Sequence, residues 1–178
     1  DDTLLQDLRF SECAPVLPDG AALPEGSALP EGAALPEGAT LQYAAADGLL
    51  FYWVIEPIPM GNYAARSRLF SMDLEVGSVS LLYSIEDEGH WINEFTANDD
   101  GLYWVLQQGE TTKLQRMALS GGQPEDLRVT EEPVLILAEC GPEHLVWTEE
   151  TQQSNRRYAW PTDGSGDPFV VSDRPVSD

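Results

Sequence analysis

Short apolar runs that alternate with a period of two, each entered from a tight turn, recur along this chain. The clearest is Leu102-Tyr103-Trp104-Val105-Leu106, which follows Asp100-Gly101 and is separated by a polar loop from Lys113-Leu114-Gln115-Arg116-Met117-Ala118-Leu119 and then Ser120-Gly121-Gly122. Alternation of this kind fits half-buried strands, and the glycines supply the turn geometry between them. The phrase recurs upstream as Asp47-Gly48-Leu49-Leu50-Phe51-Tyr52-Trp53-Val54, followed by Arg68-Leu69-Phe70-Ser71-Met72-Asp73-Leu74. Downstream it reads Glu143-His144-Leu145-Val146-Trp147-Thr148, then Arg157-Tyr158-Ala159-Trp160, with Asp163-Gly164-Ser165-Gly166 after it.

The copies align by counting. Trp104 to Met117 and Trp147 to Trp160 are both 13 residues, whereas Trp53 to Met72 is 19, which places a six-residue insertion near Pro57–Tyr63. Met72 to Met117 is 45 residues and Met117 to Trp160 is 43. A mid-forties period with several short strands per copy is the spacing of propeller blades, in which one small sheet covers its apolar face with its neighbour. The chain is therefore expected to be all-β, with three four-stranded antiparallel blades over about 41–84, 91–129 and 134–171 of a domain spanning 41–178. Trp53, Trp104 and Trp147 are expected at one repeated inter-blade position, with Met72, Met117 and Trp160 across from them. The polar tail from Ser172 to Asp178 contains Pro175 and is expected to fray.

Residues 1–40 follow a different rule. Leu17, Leu23, Leu29, Leu35 and Leu41 stand six apart, and the first four each open a Leu-Pro-acid-Gly-small-small unit. Pro, an acid and Gly in that order suit a type II turn. Two readings fit: a Pro/Gly-rich semi-rigid spacer, or a short hexapeptide coil too small to hold its own core. In either case the leucine row is expected to lie against a propeller face or another copy of the chain, making 1–40 an assembly arm.

The repeat phrase of an Asp-Gly turn, a Tyr-Trp strand, a Leu-x-Arg-Met-x-Leu strand and Gly-Gly resembles the repeats of bacterial six- or seven-bladed propellers of the TolB-like and YWTD-like group, in its secreted or envelope members. The likeness is sharpest over 97–128, weaker over 47–84 and loosest over 140–171, where Trp160 stands in place of Met. It covers about two thirds of the chain, and the chain holds material for three blades where the group closes a ring with six or more. The resemblance implies a propeller serving mostly as an interaction scaffold and only sometimes accompanying an enzyme domain.

Charge narrows the partners. Nine basic against 31 acidic residues give a net charge of −22, which repels a phosphate backbone and argues against nucleic acid. No run of about twenty apolar residues is present to span a membrane. The chain begins at Asp1, which fits a processed, secreted or envelope protein or a trimmed chain. In such a setting Cys13 and Cys140 are expected to form a structural disulfide tying the arm to the third repeat, with two buried thiols as the other reading.

Candidate chemistry is sparse. His90 and His144 lack a serine, cysteine or carboxylate at a motif spacing, and no nucleophile elbow or phosphate-binding glycine loop occurs, so no catalytic residue or cofactor is expected. Asp163 and Asp167 flank glycines in a way that weakly suits Ca²⁺, but their place matches the Gly121-Gly122 turn of the second copy, and Asp99-Asp100-Gly101 reads as a turn too. Tyr63, His90 and Trp91 fall outside the repeat register and are the candidate contacts for a small ligand. Arg66, Arg68, Lys113, Arg156 and Arg157 recur on matching strands, where they can pair with the surplus carboxylates. The leading expectation is a non-catalytic structural or protein-interaction module that self-assembles through its arm. The alternatives are a glycan- or peptide-binding propeller module and a fragment of a larger enzyme-associated propeller.

Overall fold

A computed structural model describes residues 39–58, 64–131, 134–141, 143–151 and 153–175. Among these residues every regular element is a strand. The first blade is β1 (Thr40–Ala46), β2 (Leu49–Pro57), β3 (Ala64–Asp73) and β4 (Val79–Ile85). The second is β5 (His90–Asn98), β6 (Gly101–Gln108), β7 (Thr111–Met117) and β8 (Glu125–Thr130). The third is β9 (Val134–Cys140), β10 (His144–Glu150), β11 (Ser154–Pro161) and β12 (Phe169–Pro175). Each is an antiparallel meander, and a single pairing of Ala64 with His90 joins the first two at their edges.

Local sequence explains the hairpins. Asp47 and Gly48 both have positive φ, at 48° and 71°, as a two-residue turn between right-twisted strands requires. Gly101 serves packing instead, because a Cβ there would stand 2.9 Å from the Met117 carbonyl oxygen. A bulge recurs at one place in every blade: between Leu69 and Phe70, between Leu114 and Gln115, and between Arg157 and Tyr158. It bends the outer strand and marks structural equivalence from blade to blade.

That equivalence corrects the tryptophan alignment. Trp104 pairs with Gln115 and Trp147 with Tyr158, whereas the bulge residue Phe70 pairs with Tyr52 and not with Trp53. Leu50, Leu102 and Leu145 likewise oppose Met72, Met117 and Trp160. Tyr52 is thus the first-blade counterpart of Trp104 and Trp147. From Tyr52 to Met72 is 20 residues against 13 in the other copies, so the insertion is seven residues. Since one step along a strand reverses the side chain, Trp53 points toward the second blade while Trp104 and Trp147 point back toward the blade before them.

The tail also differs from expectation. Ser172, Asp173, Arg174 and Pro175 continue β12 alongside β11, and Asp173 accepts a 2.9 Å hydrogen bond from Arg156. Pro175 ends the described strand on a sheet edge, where its missing N–H leaves no gap in a ladder.

Candidate interaction face

The apolar side chains divide into three layers. Between the first and second blades lie Phe51, Trp53, Leu69, Ile85, Ile92, Leu102, Trp104, Leu106 and Met117. Trp53 meets Trp104 edge to face at a 5.5 Å centroid separation. Between the second and third lie Tyr103, Val105, Leu114, Leu145 and Trp147, with Tyr158 and Trp160 against them. The third layer is Leu50, Tyr52, Val54, Phe70 and Met72, which covers the outward face of the first blade.

This outward face is built as the other blades' inter-blade faces are. Leu50, Tyr52 and Val54 are the counterparts of Leu102, Trp104 and Leu106, and Phe70 and Met72 those of Gln115 and Met117. Tyr52 stacks on Phe70 at 5.4 Å and 19°, as Trp147 stacks on Tyr158 at 5.3 Å and 13°. At its lower border Arg66 and Arg68 converge on Glu56, with Arg66 bidentate and Arg68 at 2.5 Å. The Arg66 hydrogen bond, helped by Arg68 and opposed by burial, holds the Glu56 carboxyl below the usual range. Burial raises the Tyr52 phenol, whose hydroxyl has no hydrogen-bond partner among the described residues. At the other end of the stack, the far face of the third blade carries Val146, Thr148, Arg157 and Ala159, a more polar set without an aromatic ring.

The remaining candidates do not converge. His90 is the first residue of β5, not a loop residue, and is fully buried. Its Nδ1–H donates to the Asp87 carbonyl at 2.6 Å, which leaves Nε2 to accept from the buried Ser67 hydroxyl at 2.7 Å. The ring is sealed between two elements and meets no solvent, so it is a structural tie and not a ligand contact. Trp91, next along the strand, points the opposite way, lies exposed and donates its indole N–H to Asn93. Tyr63 lies outside the described residues, as do Cys13, Leu17, Leu23, Leu29 and Leu35; Leu41 sits in β1 and packs on the Leu50 cluster. Cys140 closes β9. Asp163 accepts from the Ser165 backbone N–H at 2.8 Å within a turn, and its bonds to Ser165 lower its pKa. Asp163 and Asp167 belong to no group of three metal-ligating side chains among the described residues. No helix among the described residues is long and apolar enough to cross a membrane.

The residues that counting from tryptophan missed are Leu50, Tyr52, Val54 and Phe70. A usable signal was present: Tyr52, Trp104 and Trp147 each stand four residues after the last residue before the second strand of the blade, Gly48, Asp100 and Glu143.

No protein-family profile matches the chain, and no curated protein matches its sequence. Solved structures do match its fold. An oligogalacturonate lyase in complex with manganese superposes with a TM-score of 0.60 at 12% identity, over 78% of this chain and 42% of that one. An oligogalacturonate lyase from Vibrio parahaemolyticus gives 0.58 at 11% identity, over 75% and 41%. The isopeptidase AtxE2, in its apo form, gives 0.55 at 17% identity, over 74% and 20%. The chain spans less than half the length of each. At such identities the likeness is one of fold, and it is the β-propeller fold: this chain forms three of its blades.

Proposed function

We propose that this protein is a non-catalytic structural and protein-interaction module of an extracellular or envelope setting, which self-associates or docks to another protein through blade faces and its N-terminal arm. The observation that carries the reading is the outward face of the first blade. Its side chains are counterparts of those that make inter-blade contacts elsewhere in the molecule, so it is a face built to be covered by a further segment of chain or by a partner. The organised polar groups support the same reading. His90 with Ser67, Glu149 with Arg128, and Asp126 with Gln115 and Lys113 tie strands and blades to one another. The Tyr-Trp and Met-x-Leu-x-Gly-Gly phrases favour the TolB-like and YWTD-like propellers as the finer relationship. Light scattering coupled to size exclusion tests the proposal over a range of concentrations. A defined oligomer is expected; a particle near 19.6 kDa at every concentration would remove self-association.

A second reading has its own support. The structures matched by this chain are longer, and the two lyases are matched over only 42% and 41% of their length. The three blades then form part of a larger, enzyme-associated propeller, and a glycan- or peptide-binding role for Trp91 and the irregular loops belongs with that arrangement. Saturable binding of an oligosaccharide or a peptide by monomeric protein is its expected signature.

A further inference from the structure

The outward face of the first blade is covered, and the cover is narrow. Leu50, Tyr52, Val54, Phe70 and Met72 are each 6% exposed or less. Strands of their own sheet cannot bury them from above. Among the described residues the hydrophobic side chains packed against them are Ala39, Leu41 and Val79, with the Arg68 guanidinium 6.0 Å from the Phe70 ring. On the same face, Tyr43 pairs with Tyr52 from the inner strand and is 40% exposed, while Leu81 pairs with Phe70 from the outer strand and is 56% exposed. On the second blade's matching face the cover reaches the inner strand, where Ile92 is 1% exposed. It stops short of the outer strand, where Asp126 is exposed as Leu81 is. Burial on the first blade is deepest along β2 and β3 and falls away at Tyr43 and Leu81, with Leu41 and Val79 partly buried, a strip that one extended segment can span.

We infer that the occupant is residues 1–38 of the same chain, laid across β2 and β3 with leucines of the Leu17–Leu35 row against Tyr52, Phe70 and Met72, in place of a preceding blade. This rests on the reading of that face as one built to be covered, and it assigns the cover to the same chain. The chain arrives from the right place, because Ala39 and Leu41 already pack on the cluster as the segment joins β1. Other stretches outside the described residues do not serve. Residues 59–63 follow Pro57 at the far end of β2, and Leu50 stands seven residues back along that strand, about 23 Å away, beyond the reach of a five-residue loop. Residues 132–133, 142, 152 and 176–178 adjoin in sequence only strands β8 to β12 of the second and third blades. The Tyr52 hydroxyl, buried and without a described partner, is matched by a segment whose turn-forming backbone has carbonyls to offer. A six-residue spacing places successive leucines on one side of such a segment, and its prolines lower the entropy lost on docking.

Methionine oxidation reads this directly on the full chain. Met72 lies under the proposed cover, while Met117 lies buried between the first two blades and reports whether the protein is folded. With dilute peroxide and mass spectrometry, both are expected to react slowly in the native protein, at the same rate across concentrations. Replacing Leu23 and Leu29 with Ser is expected to speed Met72 oxidation about tenfold with Met117 unchanged, since reactivity follows exposure. A single Leu29→Ser change, with a smaller acceleration, serves if the double variant loses Met117 protection too. Met72 far more reactive than Met117 in the native protein, or unmoved by the leucine changes, would overturn the inference. So would protection lost on dilution to monomer, which assigns the cover to a second copy and leaves self-association standing. A protected Met72 in a strict monomer gives the reverse assignment: the arm covers its own blade, and self-association falls.

Discussion

The two seams between blades use one backbone plan and different chemistry. The first is the more aromatic: Trp53 meets Trp104, Tyr83 lies edge-on to Trp53 at 6.3 Å and Phe95 packs at the border, with His90 to Ser67 and Gln42 to the Ile92 carbonyl as its polar crossings. The second has a smaller apolar centre framed by polar ties. Arg128 forks onto Glu149 at 2.7 and 3.1 Å, Thr162 donates to Asp100 at 2.5 Å, Asn98 donates to the Gly141 carbonyl at 3.1 Å, and Arg116 lies 5.4 Å from the Trp160 ring. Burial of large rings is non-directional and strong, whereas half-exposed ion pairs add little energy but penalise misplacement. Cohesion therefore concentrates in the first seam, and the second is fixed in register by directional contacts.

The largest expected effect is at Trp104. It is fully buried against Trp53, and its indole N–H donates to Gln115, whose amide donates in turn to Asp126 at 2.6 Å. Trp104→Ala is expected to cost about 3–5 kcal/mol by urea unfolding, from the cavity and the stranded Gln115 oxygen together. Trp160→Ala, at the half-exposed edge of the second seam, is expected to cost clearly less. Equal losses at the two would break the contrast.

Glu149 tests the polar side of it. Its carboxylate is buried and accepts from Arg128 and from the Trp147 indole, but Arg128 itself is 47% exposed. Glu149→Ala is expected to cost about 1–2 kcal/mol, less than a fully buried pair, because water can still solvate Arg128. Glu149→Leu is expected to recover part of this loss by extending the apolar seam, while loosening the third blade's amide-exchange protection relative to the other two. A Leu variant that keeps native protection in the third blade would show that the charge pair does not set register.

Much of this fold was legible in the sequence because propeller packing is local. Asp47-Gly48 and Asp100-Gly101 announce hairpins, and the spacing between Leu-paired Met72 and Met117 sets the blade period without reference to distant contacts. The face each tryptophan takes was not legible by residue type, since Tyr52 and Trp53 are adjacent aromatics and strand parity alone decides between them. His90 was unreadable for another reason. Nothing around it in sequence reveals that Ser67, 23 residues earlier, closes over its ring. The tail misled because a polar strand with Pro175 looks like coil until Arg156 supplies Asp173 with a partner.

Arg116 sharpens the comparison on a smaller scale. It stacks over Trp160 across the second seam while donating to the Asp100 carbonyl at 3.1 Å. Arg116→Ala is expected to cost about 0.5–1 kcal/mol, and Arg116→Lys to restore part of it, because the ammonium keeps a cation near the ring but loses the planar stack. Urea unfolding followed by the total tryptophan fluorescence checks this, and no change in either variant would remove the cation from the seam's energetics.

The smallest effect separates charge at a seam from charge within a blade. Glu56 with Arg66 and Arg68 belongs to the first blade alone, whereas Asp126 supports Trp104 at the first seam through Gln115. The Arg66 hydrogen bond is the largest influence on Glu56, and its pKa falls on folding. At Asp126 burial pushes upward but is outweighed by the bonds from Gln115 and Lys113, so its pKa falls as well. A carboxyl with a lowered folded pKa stabilises fully above its unfolded value, near 4.5 for Glu and 3.8 for Asp, and that contribution fades as pH drops through the folded value. Stability is therefore expected to decline in acid below about pH 4.5, and Glu56→Gln and Asp126→Asn should each flatten that decline. At neutral pH Glu56→Gln is expected to cost only about 0.2–1 kcal/mol, as for an exposed pair, since Arg66 is 42% exposed. Asp126→Asn should cost more at neutral pH and also shift the protein's tryptophan emission, because the hydrogen-bond chain to the Trp104 indole is disturbed. Urea unfolding from pH 3 to pH 7 on both variants separates the two roles, and an Asp126→Asn variant with native emission and the same cost as Glu56→Gln would show that the seam draws nothing from its buried polar support.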